Sequence, residues 1–172
     1  MIMNDYQISV YDNFLTDNEL KFIREYLKDS QWHDQWSRSE NERSKFDRPF
    51  GMFVCTEVEF FNLYLINKIK KYLNINQCEI ERIYFNRQTF EQNGMFHTDG
   101  CDRTVLVYIS EYDYEWGGFT QIKTRDEGYK FIIPIQKRMV SFPGMFLHKG
   151  FSYSYSQCPP RISLAYKLNN IE

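Results

Sequence analysis

The 172-residue sequence lacks the features that define several large protein classes. Its four cysteines, Cys55, Cys78, Cys101 and Cys158, form no Cys-x-x-Cys pair, which argues against a zinc knuckle and a disulfide framework. No stretch approaches the roughly 18 apolar residues of a membrane span. Residues 1–5 lack the basic and then apolar pattern of a signal peptide. We therefore expect a cytoplasmic protein that contacts no membrane.

An excess of positive charge is also missing. The chain has 21 lysine and arginine residues against 23 aspartate and glutamate residues, a net charge of -2. Proteins that bind the nucleic-acid backbone usually carry a basic face. The composition therefore argues against a nucleic-acid partner. The length suits one domain with its own core, and we expect a single domain over residues 1–172.

Capping boxes predict two helices in the first part of the chain. Thr16–Glu19 and Thr56–Glu59 each combine a threonine with a glutamate three residues later. Apolar residues then recur at helical spacing as far as about residues 28 and 73. We expect both helices to lie against one face of a sheet. The alternating segment Tyr6–Tyr11 before them predicts an edge strand.

Residues 29–51 have no such period. They are charged and polar, with scattered aromatic side chains. Irregular stretches of this length in a compact domain are often functional, which favours a lid on the substrate side. An ordered surface segment whose tryptophans pack on the core is the alternative.

From residue 79 onward the pattern changes to the alternation that is typical of strands. Eight strands are predicted, at residues 81–90, 95–99, 103–110, 119–123, 129–134, 138–142, 151–155 and 161–168. Short turns with glycine or proline join them. Helices followed by many short strands predict a mostly β fold, a sandwich or jelly roll supported by the two N-terminal helices.

A histidine and a carboxylate lie two residues apart on the second of these strands. Positions i and i+2 of a strand face the same side, so His97 and Asp99 can converge. Of the other two histidines, His33 lies in a polar stretch, whereas His148 follows an apolar segment. One carboxylate with two imidazoles is the facial triad of non-haem Fe(II) oxygenases, which leaves coordination positions open for substrate and O₂. The sequence predicts an iron site at His97, Asp99 and His148.

Several motifs together resemble the prolyl 4-hydroxylase-like branch of the 2-oxoglutarate- and Fe(II)-dependent dioxygenases, in its short bacterial and phage form. In chain order they are His97–Asp99, Arg103–Ser110, Trp116–Thr120, Arg138–Gly144, His148 and Arg161–Lys167. The resemblance covers about residues 80–168. It implies a cupin-like double-stranded β-helix over residues 79–168, with residues 1–78 as helical support and lid. It also implies that His97, Asp99 and His148 hold the iron at the open end of this core.

The resemblance further implies where 2-oxoglutarate binds. Arg161 would receive the far carboxylate of this cosubstrate, because a guanidinium fork matches carboxylate geometry. Ser163 and Tyr108 fall at family positions beside this carboxylate. Tyr84 and Asn86 are further candidates that line the pocket, in a stretch from Tyr84 to Gly94 that departs from the family pattern. The chain departs from the family at Gln88, where many relatives carry tyrosine. Phe119 after the two glycines is a second departure.

The implied reaction is hydroxylation of an unactivated C–H bond, coupled to conversion of 2-oxoglutarate and O₂ into succinate and CO₂. Ascorbate is the reductant that the family suggests. Asp99 is intact, which favours hydroxylation over halogenation. A residue in a protein or peptide, with proline first, is the leading substrate, and a free amino acid or natural-product intermediate is the alternative. Nucleic-acid oxidation is disfavoured by the charge, and a non-catalytic cupin-like binding protein by Arg161 and Ser163. The oligomeric state stays open.

Overall fold

The computed structural model describes residues 8–35, 48–55, 58–124 and 128–172. The elements of its first half are β1 (Ser9–Tyr11), α1 (Asp17–Lys28), β2 (His33–Gln35), β3 (Phe50–Val54), a π-helical segment (Phe60–Leu65) and α2 (Ile66–Leu73). The second half contains β4 (Glu79–Gln88), β5 (Arg103–Tyr108), a 3-10 turn (Tyr114–Trp116), β6 (Thr120–Lys123), β7 (Tyr129–Ile132), β8 (Met139–Pro143), β9 (His148–Gly150) and β10 (Arg161–Asn169).

The strands form two antiparallel sheets. The larger sheet has the order β1-β8-β5-β10-β4-β3-β2, and the smaller one has the order β7-β6-β9. The mostly β, jelly-roll architecture that the sequence predicts is confirmed. β1 pairs only with β8 and is an edge strand, as expected. No helix of the described segments is long and apolar enough to cross a membrane.

Alternate residues of the central strands β4, β5 and β10 face opposite sides of the larger sheet. One side is apolar. Its buried residues are Ile83, Phe85, Val105, Val107, Leu164, Tyr166 and Leu168. They share one core with Leu20 and Ile23 of α1 and with Phe61, Leu65 and Ile69 of the second helical segment. Both helices therefore lie on one face of this sheet, as predicted.

The first capping box forms as expected. The Thr16 hydroxyl accepts from the Glu19 backbone N–H at 3.3 Å, and the Glu19 carboxylate accepts from the Thr16 N–H at 2.6 Å. Thr56 and Glu57 of the second box lie outside the described residues. The second helix is not regular throughout, because it opens in the π-helical segment before α2. It ends at Asn74, whose left-handed backbone (φ 55°) is a common helix terminator.

The N-terminal part contributes more than helices. β2 and β3 extend the larger sheet beyond β4. The described residues of segment 29–51 therefore include all of β2 and the first two residues of β3. Neither strand shows the alternation of polar and apolar residues that predicts a strand. β2 has only three residues, all polar, and β3 is apolar with Gly51 at its second position. Residues 36–47, on which most of the lid prediction rests, lie outside the described residues.

Two predicted strands are wrong. Segments 95–99 and 151–155 each hold a single bridging residue, His97 paired with His148 and Tyr153 paired with Gly117. In the first segment, the backbone changes its pairing partner within two residues. His97 pairs with His148, whereas the Asp99 N–H donates to the Gly144 carbonyl at 2.8 Å. His97 and Asp99 therefore do not share a regular strand. The remaining strands lie within a few residues of their expected positions.

Candidate active site

Backbone pairing brings the two predicted histidine ligands together. The His97 N–H donates to the His148 carbonyl at 3.0 Å, and the His148 N–H donates to the His97 carbonyl at 2.9 Å. Directly paired residues of antiparallel chains project to the same side. The two imidazole centroids accordingly lie 4.4 Å apart.

Each imidazole is oriented by a carbonyl two residues earlier in the chain. Nδ1 of His97 lies 2.8 Å from the Met95 oxygen, and Nδ1 of His148 lies 2.8 Å from the Phe146 oxygen. A carbonyl can only accept, so these contacts place the hydrogen on Nδ1 and leave the Nε2 lone pair exposed. This tautomer allows each histidine to bind a metal through Nε2.

Asp99 completes the cluster. Its carboxylate lies 3.8 Å from Nε2 of His97 and 3.4 Å from Nε2 of His148. One ligand atom from each of the three residues lies within 4.8 Å of the others. A separation this small allows all three atoms to reach one divalent ion, so the cluster could hold a metal.

The protonation states suit a metal site. Burial and the neighbouring His97 lower the pKa of His148 to about 4, so this imidazole is neutral at pH 7. Burial opposes the ionised form of Asp99, but the Lys167 charge and hydrogen bonds outweigh it and hold the pKa of Asp99 below its usual value. One Asp99 oxygen accepts from the Thr104 hydroxyl at 2.5 Å and from the Lys167 ammonium. Neutral imidazoles with a carboxylate fit Fe(II).

Strand register places the remaining site residues in one row. Four cross-strand pairs of β10 and β4 lie on the side away from the helices: Arg161–Gln88, Ser163–Asn86, Ala165–Tyr84 and Lys167–Arg82. All of these residues except Ala165 line a cavity of about 280 Å³, here called the central cavity. Seven of the eight predicted site residues line it, namely His97, Asp99, His148, Arg161, Ser163, Tyr84 and Asn86. Gln35, Phe50 and Met52, from β2 and β3, line it too.

Arg161 is almost completely buried, with 2% of its surface exposed. Its guanidinium donates to the Gly118 carbonyl, the Gln88 side-chain oxygen and the Thr120 hydroxyl, each at 2.8 Å. Three of its five N–H groups are thereby used for positioning. The Tyr108 side chain also lies beside the guanidinium. The N–H groups that these contacts do not use are available to a ligand.

Tyr108 is the one predicted residue that does not line the central cavity. It lies behind Thr120 and donates its hydroxyl to the Thr120 oxygen at 2.8 Å. Burial raises the pKa of Tyr108, so the phenol remains a hydrogen-bond donor. A direct contact between Tyr108 and a cosubstrate stays a prediction.

Sequence reasoning did not assign roles to Thr120 and Lys167. Thr120 follows Phe119 at the start of β6 and joins Arg161 to Tyr108. Lys167 lies four positions beyond Ser163 on β10 and therefore faces the same side. That spacing is the signal that could have revealed it.

The donor set beside the metal cluster fits a dicarboxylate. Arg161 offers a fixed cation, and Ser163 offers a hydroxyl from a residue only 2% exposed. Asn86 has a buried side-chain oxygen with no hydrogen-bond partner among the described residues. Buried polar atoms are normally paired, so this acceptor marks a position for a donor from a ligand or water. Only the amide N–H groups of Asn86 could donate to a carboxylate.

Comparison with known proteins supports this fold. No protein-family model matches the chain, and no curated protein matches it significantly. Among solved structures, a prolyl 4-hydroxylase of Pseudomonas putida matches with a TM-score of 0.70 at 14% identity, over 94% of this chain and 92% of that one. A prolyl hydroxylase of Trichoplax adhaerens, in complex with a peptide of hypoxia inducible factor, matches with a TM-score of 0.71 at 13% identity. The match covers 98% of this chain and 86% of that one.

A third match is SnoK, a non-haem α-ketoglutarate-dependent carbocyclase of nogalamycin biosynthesis. Its TM-score is 0.68 at 8% identity, over 96% of this chain and 80% of that one. The chain thus has the fold of the 2-oxoglutarate-dependent Fe(II) oxygenases. The fold that the sequence resemblance implies is confirmed.

Proposed function

We propose that this chain is an Fe(II)- and 2-oxoglutarate-dependent dioxygenase, formed by a single domain over residues 1–172, that hydroxylates an unactivated C–H bond. The observation that carries the proposal is the convergence of His97, Asp99 and His148 in the same cavity as the buried Arg161. When bound, Fe(II) and 2-oxoglutarate supply the oxidising chemistry. One atom of O₂ enters the substrate, and the other enters succinate as CO₂ leaves.

The protein's own residues have separate tasks in this proposal. The two Nε2 lone pairs and the Asp99 carboxylate hold the metal. Arg161 binds the far carboxylate of 2-oxoglutarate, with Ser163 and Asn86 as further polar contacts beside it. No side chain is required to transfer a proton to the substrate.

We place a prolyl or other residue of a protein or peptide first among substrates. The likeness to prolyl hydroxylases of two organisms supports this choice, and one of those structures holds a peptide. The alternative is a free amino acid or natural-product intermediate. The match to SnoK and the modest volume of the central cavity support it. The net charge of -2 disfavours nucleic acid.

The metal and cosubstrate assignments are tested by anaerobic titration with Fe(II) and 2-oxoglutarate. A bidentate 2-oxo acid on Fe(II) gives a weak charge-transfer band in the visible. We expect the band in the wild type, its loss in His97→Ala, and its retention in His33→Ala. His33 is the matched control because it is an exposed histidine on β2 outside the cavity lining. No band in the wild type would overturn the proposal.

The substrate class is tested separately in air. Proline-containing peptides and free amino acids are each incubated with enzyme, Fe(II), 2-oxoglutarate and ascorbate. Succinate formation and gain of one oxygen atom in the substrate are measured together, because decarboxylation alone can be uncoupled. Peptide oxidation supports the first choice, and oxidation of free amino acids alone supports the alternative.

A further inference from the structure

The central cavity contains more positive charge than the proposed chemistry uses. Among the described residues that line it, the charged ones are Arg82, Asp99, Arg161 and Lys167. With the site loaded, the positive charges of Fe(II) and Arg161 equal the negative charges of Asp99 and the 2-oxoglutarate dianion. The lining then keeps an excess of two positive charges. Lys167 is already paired with Asp99, whereas the exposed Arg82 has no acidic partner among the described residues.

These two cations are direct neighbours. Lys167 and Arg82 occupy opposed positions of β10 and β4. Both lie over the ring of Tyr84, with the Arg82 guanidinium carbon 4.5 Å and the Lys167 nitrogen 5.6 Å from its centroid. Like charges at directly opposed strand positions destabilise a sheet. Asp99 offsets the charge of Lys167, and a further anion would balance the charge of Arg82.

Both side chains have hydrogen-bonding capacity left for such an anion. The Lys167 ammonium donates to Asp99 and to Thr104, which leaves one of its three N–H groups. The Arg82 guanidinium, within the described residues, makes no hydrogen bond or ion pair and stacks only on Tyr84. A guanidinium fork beside an ammonium is a strong carboxylate receptor.

The anion at this position cannot be the one that Arg161 receives. Six positions along β10 separate the backbones of Arg161 and Lys167. In the proposed function, 2-oxoglutarate uses one carboxylate at Arg161 and the other at the metal, so neither is left for Arg82. The carboxylate at Arg82 and Lys167 therefore belongs to a second molecule.

We infer that Arg82 and Lys167 form a carboxylate-binding subsite for the substrate, so that the oxidised molecule carries a carboxylate near its target C–H bond. The inference rests on the proposed oxygenase function. Two sources share this chemistry, the α-carboxylate of a free amino acid and an acidic group in a peptide. Tyr84, between the two cations, forms the floor of the subsite.

Matched pairs of probe molecules test the inference. L-proline is compared with L-prolinamide, and the capped peptide acetyl-Pro-Glu-amide with acetyl-Pro-Gln-amide. Each is titrated anaerobically into protein loaded with Fe(II) and 2-oxoglutarate, and the shift of the charge-transfer band gives its dissociation constant. We expect the acid of at least one pair to bind roughly tenfold or more tightly than its amide. The pair that discriminates identifies the source of the carboxylate.

Two variants of β4 locate the effect. Arg82→Gln should abolish the preference for the acid while the band with 2-oxoglutarate persists. Arg87→Gln is the matched control, because Arg87 lies on the same strand, stacks on Trp32 at 4.7 Å and does not line the cavity. It should keep the preference.

The outcomes separate the two proposals. If wild type gives the band but binds acids and amides equally in both pairs, the carboxylate subsite is overturned and the oxygenase stands. The same holds if Arg82→Gln retains the full preference. If wild type gives no band, the oxygenase proposal fails and the subsite fails with it.

Discussion

His97 and His148 are paired through their backbones before any metal is considered, since each donates its N–H to the other's carbonyl. The geometry of the metal cluster is thus part of the fold. The backbone pair sets the spacing of the two imidazoles, and the Met95 and Phe146 carbonyls set their orientation. A site arranged in this way loses little freedom when it binds an ion.

The low pKa of His148, about 4, predicts a pH dependence of stability in the metal-free protein. Between about pH 6.5 and 4 the unfolded chain takes up a proton at this position that the folded protein does not. Stability should therefore be fully present above pH 6.5 and fall with decreasing pH, by up to about 1.4 kcal/mol per pH unit. Denaturant unfolding at pH 7, 6 and 5, with a chelator present, measures it. His148→Gln should show a shallower slope, and equal slopes would contradict the prediction.

Lys167→Met should destabilise the protein, because it leaves the buried Asp99 carboxylate without its positively charged partner. Removing one partner of a buried pair costs about 3 kcal/mol, because the other charge stays buried and uncompensated. We expect this loss in the free energy of unfolding of the metal-free protein and a smaller loss with Fe(II) bound, since the metal supplies positive charge. Lys28→Met, which removes an exposed pair with Glu25, should cost much less than Lys167→Met. Similar losses for both variants would contradict the role of Lys167.

Arg161→Lys should weaken 2-oxoglutarate binding without weakening Fe(II) binding. A single ammonium cannot make the three contacts of the guanidinium fork with Gly118, Gln88 and Thr120 and also bind the cosubstrate carboxylate. We expect the dissociation constant of 2-oxoglutarate to rise by about tenfold or more at saturating Fe(II). Arg138→Lys is the control, because Arg138 pairs with Asp12 outside the cavity lining. Unchanged binding in Arg161→Lys would assign the cosubstrate carboxylate to another cation.

Gly118→Ala should destabilise the protein and disturb Arg161. Gly118 has φ +76°, and an added Cβ would lie 2.5 Å from the Tyr153 ring. The Gly118 carbonyl also accepts from Arg161. We expect a loss of about 2 kcal/mol in the free energy of unfolding. Gly100→Ala, where no atom lies within 4 Å of the added Cβ, should change it by less than about 0.5 kcal/mol.

Local chemistry made several parts of this protein predictable. The Thr16–Glu19 box marks the start of α1 because its hydrogen bonds join residues only three positions apart. Apolar alternation along β4, β5 and β10 separates a helix-facing side from a cavity-facing side. The metal cluster could be proposed because the chain has only three histidines and one of them precedes a carboxylate by two positions. Its role in binding iron remains a prediction.

The sequence by itself determined the strand periodicity, the helix start and the residue types of the cluster, since each depends on neighbours along the chain. Only the tertiary structure decided that Asp99 pairs with Gly144, that Thr120 joins Arg161 to Tyr108, and that Lys167 opposes Arg82. Periodicity tells which side of a strand a residue occupies but not which strand becomes its neighbour. That choice depends on hydrogen-bond register between distant segments, which no local pattern encodes.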